Sequence, residues 1–263
     1  MKIFRRLSMA ISYVTCVPLA RINAEESEKL LSGLAKYLPM VGLLLGAWLV
    51  LVAWTLTFLN ANNLLAGAVL ALFWLLLTNG LHFDGLMDTA DGIFSHQSKE
   101  RMLEIMQDPR VGNFGVLAGV SVLLLKFVSL ASVPPHSLLF VLALCPAWSR
   151  WAETFAISAF PYLKPEGKGK IWHDSTKHPR DIFLSGLAPA LLTAACCAFG
   201  YWQAAIVSVC TGLSGITAAF WLAHKLDGHT GDTYGAVVEL AEAGGLLCAA
   251  LILPMPGLVL PSP

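Results

Sequence analysis

Long apolar runs separated by short polar connections constrain this chain more than any other feature. A run of about 20 apolar residues is what a helix needs to cross the hydrocarbon of a bilayer. Seven such runs are read here, at 39–59, 62–81, 112–133, 137–159, 182–202, 204–224 and 236–258. Pro254 and Pro256 interrupt the last one. With 56% hydrophobic and only 13% charged residues, most of the surface must face lipid, because water would not tolerate it. The expected fold is all-α, a polytopic integral membrane bundle of about seven helices forming one domain over 1–263. Residues 1–38 form an amphipathic segment ahead of it. Its start, Phe4-Arg5-Arg6-Leu7 onward, reads as an interfacial helix, since Ser, Thr and Tyr interrupt the apolar run of a signal peptide.

The charges set the topology. The connections after the first, third and fifth runs carry no ionised residue, whereas Lys2 to Lys36, His82 to Arg110, Lys164 to Asp181 and Lys225 to Asp232 carry nearly all of them. Only Lys126 and Arg150 among the Lys and Arg fall inside the runs. The positive-inside rule then places the N-terminus and the charged loops on the cytoplasmic side of the membrane. The net charge is zero and no basic stripe occurs, which argues against nucleic acid as a partner. The six cysteines lie mostly in apolar segments without a Cys-x-x-Cys pair, so they read as small buried hydrophobes.

Chemistry concentrates after the second run, in His82-Phe83-Asp84-Gly85-Leu86-Met87-Asp88-Thr89-Ala90-Asp91-Gly92. Asp84, Asp88 and Asp91 are spaced i, i+4, i+7, which returns them to one face of a helix. Like charges at a membrane boundary repel and are costly to desolvate, so a cation is expected there. Oxygen-only ligands favour a hard divalent ion such as Mg²⁺. The plainer alternative is a solvated acidic helix end, but no Lys or Arg is interleaved between Asp84 and Ser98. His82 adjoins the cluster as a candidate proton acceptor.

Further candidates sit in the other charged loops. Residues 98–108 have helical periodicity, and Asp108 and Arg110 follow at a helix stop. Lys164, Lys168 and Lys170 surround two glycines, a flexible cationic loop suited to phosphate or equally to anionic lipid. Asp227-Gly228-His229-Thr230-Gly231-Asp232 suggests a tight turn approaching a ligand, or a turn capped by Asp232 or Thr233. Glu239 and Glu242 follow on the next helix and are expected to face the bundle interior. Arg150 and Glu153 could neutralise each other, or Arg150 could bind substrate phosphate. A carboxylate-bound metal, a cationic loop and a Gly-Asp turn on one membrane face are the equipment of phosphoryl transfer.

These segments resemble a known family. Asp84-Gly85-Leu86-Met87-Asp88-Thr89-Ala90-Asp91-Gly92, Glu104-Ile105-Met106, Asp108-Pro109-Arg110-Val111-Gly112 and Thr230-Gly231-Asp232 with Gly235-Ala236, Glu239-Leu240 and Glu242 are similar to cobalamin synthase, the adenosylcobinamide-GDP ribazoletransferase family. Arg150 with the Tyr162 to Gly169 loop, and Cys16-Val17-Pro18, fit the same pattern. Met87 and Pro109 stand where Ala and Ser are expected, and neither change removes a ligand atom. The resemblance implies a Mg²⁺-dependent transfer from adenosylcobinamide-GDP to α-ribazole or its 5′-phosphate, releasing GMP. It suggests Asp84 and Asp88 as holding Mg²⁺, with Asp91 a further ligand or the base and Asp232 completing the shell. Arg110, Arg150 and Lys168 would offset phosphate charge, with Asp108, Thr230 and Gly231 as neighbours of the substrate. The lipid bilayer is the other expected partner, and a homo-oligomer is compatible with the sequence.

Two rivals are weaker. A CDP-alcohol phosphotransferase would continue Asp-Gly-x2-Ala-Arg, where Met87-Asp88 stands instead. An ion-coupled transporter needs acids near the bilayer midplane, whereas these gather at one rim.

Overall fold

A computed structural model describes residues 2–19 and 31–253. Among these residues the chain forms eleven helices and no strand: α1 (Lys2–Val14), α2 (Leu38–Phe58), α3 (Asn63–Leu77), α4 (Leu81–Ile93), α5 (Lys99–Ile105), α6 (Asn113–Ser132), α7 (Pro135–Ala159), α8 (Lys168–Ser175), α9 (Arg180–Ala198), α10 (Gln203–Leu226) and α11 (Gly231–Ile252). A short 3₁₀ turn, Ala35–Tyr37, leads into α2. The expected polytopic all-α bundle is what the chain forms.

Each apolar run is helical, but seven separate spans are not what length and composition give. Five helical stretches are long and apolar enough to cross a membrane: Ala35–Phe58, Asn113–Ser132, Arg180–Ala198, Gln203–Leu226 and Gly231–Ile252. α3 reaches the criterion only together with α4, and those two are bent by 88°. The bend lies at Asn79 and Gly80, whose φ of 51° and 67° place both in the left-handed region. The Asp segment is therefore its own 13-residue helix, turned sharply from the rest of the second run. α7 runs 25 residues but carries Arg150 and Glu153 and is buried along most of its length. The expected seventh run extends past α11 into residues 254–258, outside the described residues, as is most of the linker between α1 and the 3₁₀ turn.

α11 is the axis of the bundle, packed by α4, α6, α7 and α10, while α2 lies along α7. Gly42 and Gly46 of α2 permit that contact: a Cβ on either would fall 2.2 or 2.7 Å from backbone oxygens of α7. Small residues one turn apart are how membrane helices come this close. Outward, Trp54, Phe58, Leu117, Phe183, Leu191 and Leu251 are each more than half exposed, the pattern of a surface solvated by lipid. α1 does more than lie at an interface. Met9, Ala10, Ile11 and Val14 are buried in the main core, and the Cys16 amide donates to the Leu77 carbonyl at 2.9 Å.

The bundle interior holds a closed ionic cluster. Lys126 of α6 donates to Glu239 and Glu242 of α11, at 2.5 Å each, and lies over the Trp74 ring. Arg150 of α7 pairs with the other oxygen of Glu242, which also accepts from Ser149 at 3.2 Å. Two cations and two anions cancel, the condition on which charge is tolerated in a low-dielectric interior. Both glutamates face inward as expected.

Candidate active site

The site is built where α4 crosses the start of α11. Two glycines set the distance. A Cβ on Gly85 would lie 2.6 Å from the Asp232 carbonyl oxygen, and one on Gly235 would lie 2.9 Å from that of His82. Any side chain at these positions would push the helices apart. α11 begins at a capping box: the Thr230 hydroxyl accepts from the Thr233 amide at 3.3 Å, and the Thr233 hydroxyl accepts from the Thr230 amide at 2.8 Å. Thr230 is thus the cap of this turn, rather than Asp232 or Thr233. Its hydroxyl also donates to Asp232 at 3.2 Å, which ties down a residue expected to meet substrate. Gly231 opens the helix with free space where a side chain would be.

A second connection brings in the cationic loop. The His229 amide donates to the Pro161 carbonyl and the Leu163 amide to the His229 carbonyl, both at 2.9 Å. This short parallel contact delivers Lys164, which donates to Asp232 Oδ2 at 3.1 Å. The loop is less flexible than its glycines suggested. After Gly167 (φ 114°) it becomes helix α8, on which Lys170 bonds Asp174 at 2.7 and 2.8 Å. Lys168 lies 4.8 Å over the Tyr13 ring.

Between these elements is a pocket of about 140 Å³, whose lining includes Asp84, Asp232, His82, Glu153, Trp172 and Tyr234. Tyr13 and Trp172, meeting edge to face at 5.1 Å, close it from the α1 and α8 side. Asp84 is exposed and Asp88 half-buried one turn along. Burial first, then the charges of Asp84, Asp232 and Asp91, push the Asp88 carboxyl up to about 6. That coupling places the acids of α4 and α11 in one field. Burial and the Arg150 charge push the His82 imidazole down to about 3, so it is neutral.

Several expected participants are engaged elsewhere. Asp91 accepts the amides of Gly112 at 2.7 Å and Gly115 at 2.8 Å, capping the start of α6 from a neighbouring helix. A Cβ on Gly112 or Gly115 would fall 2.3 or 2.4 Å from its carboxylate oxygens, so both glycines serve this contact. Arg150 is wholly buried, bonded to Glu242 and not to Glu153, and lies outside the pocket wall. Asp108 and Arg110 hold each other through two bonds at 2.6 and 2.9 Å on an exposed turn. The guanidinium keeps that carboxyl well below the usual range. Of the pocket lining, sequence reading singles out His82, Asp84, Gly231 and Asp232 and takes Glu153 only as a partner for Arg150; it misses Trp172 and Tyr234, whose rings look like ordinary aromatic core. Gly85 and Gly235, glycines inside helices beside acids, were the available signal of a close crossing.

Residues 6–250 match the cobalamin-5-phosphate synthase family. The chain belongs to that family. Its relatives named adenosylcobinamide-GDP ribazoletransferase include that of Thermosynechococcus vestitus, 43% identical over 89% of this chain and 91% of the relative. The Trichormus variabilis protein is 36% identical over 94% and 96% of the two chains, and that of Desulfitobacterium hafniense 37% identical over 93% and 96%. No solved structure matches this chain. The α4–α11 crossing brings one acid from each of these two helices of this chain, Asp84 and Asp232, to one pocket.

Proposed function

We propose that this protein is an adenosylcobinamide-GDP ribazoletransferase working with Mg²⁺ at the inner face of a bacterial cytoplasmic membrane. It transfers the adenosylcobinamide phosphate group to a hydroxyl of α-ribazole or its 5′-phosphate and releases GMP. The observation that carries this reading is the crossing at Gly85 and Gly235, which puts Asp84 and Asp232 in the lining of one pocket with Asp88 one turn away. All the charged connections gather at this end of the bundle, and the positive-inside rule turns it toward the cytoplasm.

The donor set suits Mg²⁺ in a particular way. Among the described residues, no three His, Cys, Asp or Glu side chains converge closely enough to enclose a metal. Mg²⁺ seldom needs such a cage, since it is commonly held by one or two carboxylates with water and substrate phosphates completing the shell. Asp84, Asp88 and Asp232 supply oxygen ligands of that kind, with the Asp88 carboxyl raised first by burial and then by the acids around it. Those three residues would hold a divalent ion, which when bound would supply charge neutralisation for the diphosphate and for the leaving phosphate.

The chain's own groups do the rest. Lys164, already on Asp232, and Lys168 at the mouth offset phosphate charge, with the open backbone of Gly231 beside them. Arg110 and Asp108 stand, paired with each other, on the exposed turn that leads into α6. His82, neutral and buried, lines the same pocket, where the acceptor hydroxyl would enter. Asp91 fixes α4 to α6 and so holds Asp84 and Asp88 in register. Arg150 anchors α11 through Glu242. Incubating purified protein with Mg²⁺, α-ribazole and adenosylcobinamide-GDP should release GMP in step with loss of donor. No release above a blank without protein would overturn the assignment.

A further inference from the structure

The reading above leaves Glu153 without a task. It is the only acid of α7 and is 2% exposed, yet its Oε2 has no hydrogen-bond partner among the described residues. None of its neighbours bonds it: Arg150, one turn earlier, reaches Glu242 through Nη1 while its Nε and Nη2 stay unpartnered, and Lys126 is held by Glu239 and Glu242. Across from it, His82 is 3% exposed and neither of its ring nitrogens is bonded. His82 Nε2 and Glu153 Oε2 stand 3.9 Å apart, too far to bond each other. Buried polar groups without partners are costly to keep, so a pair of them in one wall calls for a third group that satisfies both.

Geometry limits what that group can be. One oxygen atom set about 2.8 Å from each partner bridges a 3.9 Å gap. A hydroxyl has the matching chemistry: it donates to the carboxylate oxygen and accepts from His82 in its Nε2–H form. The wall continues with two more unpartnered buried groups, Trp172 Nε1 and the Tyr234 hydroxyl. Both belong to the same pocket as Asp84 and Asp232. Hydrogen-bonding groups interleaved with aromatic rings suit a nucleoside. At about 140 Å³ the pocket is well below the roughly 300 Å³ or more that encloses a drug-sized ligand, so it admits one end of a substrate and no corrinoid ring. Two nucleosides take part in the proposed reaction. A guanine would be read along a ring edge by several donors and acceptors in line, whereas the gap between His82 and Glu153 admits a single oxygen.

We infer that Glu153, together with His82, binds a ribose hydroxyl of the acceptor nucleoside and so seats α-ribazole beside Asp84 and Asp232. The inference rests on the transferase reading and adds to it the residue that selects and places the acceptor.

The test is binding, measured on the full-length protein in detergent without donor. Calorimetry follows α-ribazole, its 2′-deoxy and 3′-deoxy analogues, and GDP with Mg²⁺, on wild type, Glu153→Gln and Glu153→Leu. Leaving a ribose hydroxyl and His82 buried without their partner predicts about 30-fold weaker α-ribazole binding for Glu153→Leu. Glu153→Gln, which keeps an acceptor oxygen, should lose no more than about 5-fold. One deoxy analogue should cost wild type a similar factor and cost Glu153→Leu nothing further. GDP binding should not change, and the melting temperature should not fall, because an apolar residue replaces an unpaired buried acid. Unchanged α-ribazole affinity in Glu153→Leu overturns the inference. So does a loss that is equal for all ligands or that follows a lowered melting temperature, which would make Glu153 structural. A loss confined to GDP overturns it too, by giving the pocket to the donor. In each of these cases GMP release by wild type still upholds the transferase reading, and its absence alone sinks that reading.

Discussion

Gly85→Ala tests whether the α4–α11 crossing sets the site. The added methyl would lie 2.6 Å from the Asp232 carbonyl oxygen and 3.0 Å from its Cα. Ordinary contact begins at 3.4 Å, and the obstacle is backbone, so the two helices must separate by about 0.8 Å. Overpacking of this size costs roughly 1–3 kcal/mol. Helix propensity acts in the opposite direction, since Ala favours a helix interior by about 1 kcal/mol over Gly. A displacement near 1 Å between groups that must converge on one phosphate costs on the order of 10²-fold in rate. We therefore expect kcat/KM for GMP release to fall roughly 100-fold, with a lower unfolding midpoint in detergent. Gly212→Ala is the control: its nearest neighbour, a Trp151 ring atom, would be 3.6 Å away, and activity should stay within about twofold of wild type. If Gly85→Ala folds with an unchanged midpoint and turns over at more than half the wild-type rate, the close crossing does not position the acids.

Three other outcomes follow from the same structure. Because the Asp88 carboxyl is raised to about 6, divalent-cation affinity should be flat above that pH and fall about tenfold per unit below it, as a proton competes for the ligand. The sign on stability is the reverse. The folded form holds this proton more tightly than the unfolded chain, so the metal-free protein loses stability as pH rises from about 4 to about 6, and added Mg²⁺ restores it. A melting curve flat across that range without cation would contradict the shift. Lys126→Ala leaves Glu239 without its cation and Glu242 with Arg150 alone, and should cost about 3–5 kcal/mol. Lys126→Met with Glu239→Gln should recover most of that loss in a chemical-denaturation series. Asp91→Ala removes the cap on α6 and should lower stability by about 1–2 kcal/mol, with Asp91→Asn intermediate. Full stability in Asp91→Ala would leave its bonds to Gly112 and Gly115 without consequence.

The helical runs were legible because lipid demands apolar side chains over a fixed length, and that demand acts residue by residue. The bend at Asn79-Gly80 was visible only as a turn-forming dipeptide, and periodicity has no term for an 88° change of direction. The i, i+4, i+7 spacing of Asp84, Asp88 and Asp91 marked an acidic helix, and 81–93 is helical throughout. It did not show that Asp91 turns to the amides of Gly112 and Gly115, since that partner lies on another helix. Arg150 illustrates the same limit. Glu153 is its local neighbour at i+3, but the ion pair forms with Glu242, brought close only by the packing of α7 on α11. Lys164 drew notice as one of several loop cations, and its place on Asp232 follows from the backbone contact between residues 161–163 and His229.

The central claim is that the carboxylates of α4 and α11 share one divalent cation with the diphosphate of the donor. Calorimetric titration of GDP into wild type, Asp88→Asn and Asp232→Asn, each with Mg²⁺ and with EDTA, tests it most directly. The account predicts that wild type binds GDP only with Mg²⁺ and that both variants, still folded, lose at least about tenfold of that affinity. GDP binding of equal strength with EDTA, or undiminished in both variants, would contradict it.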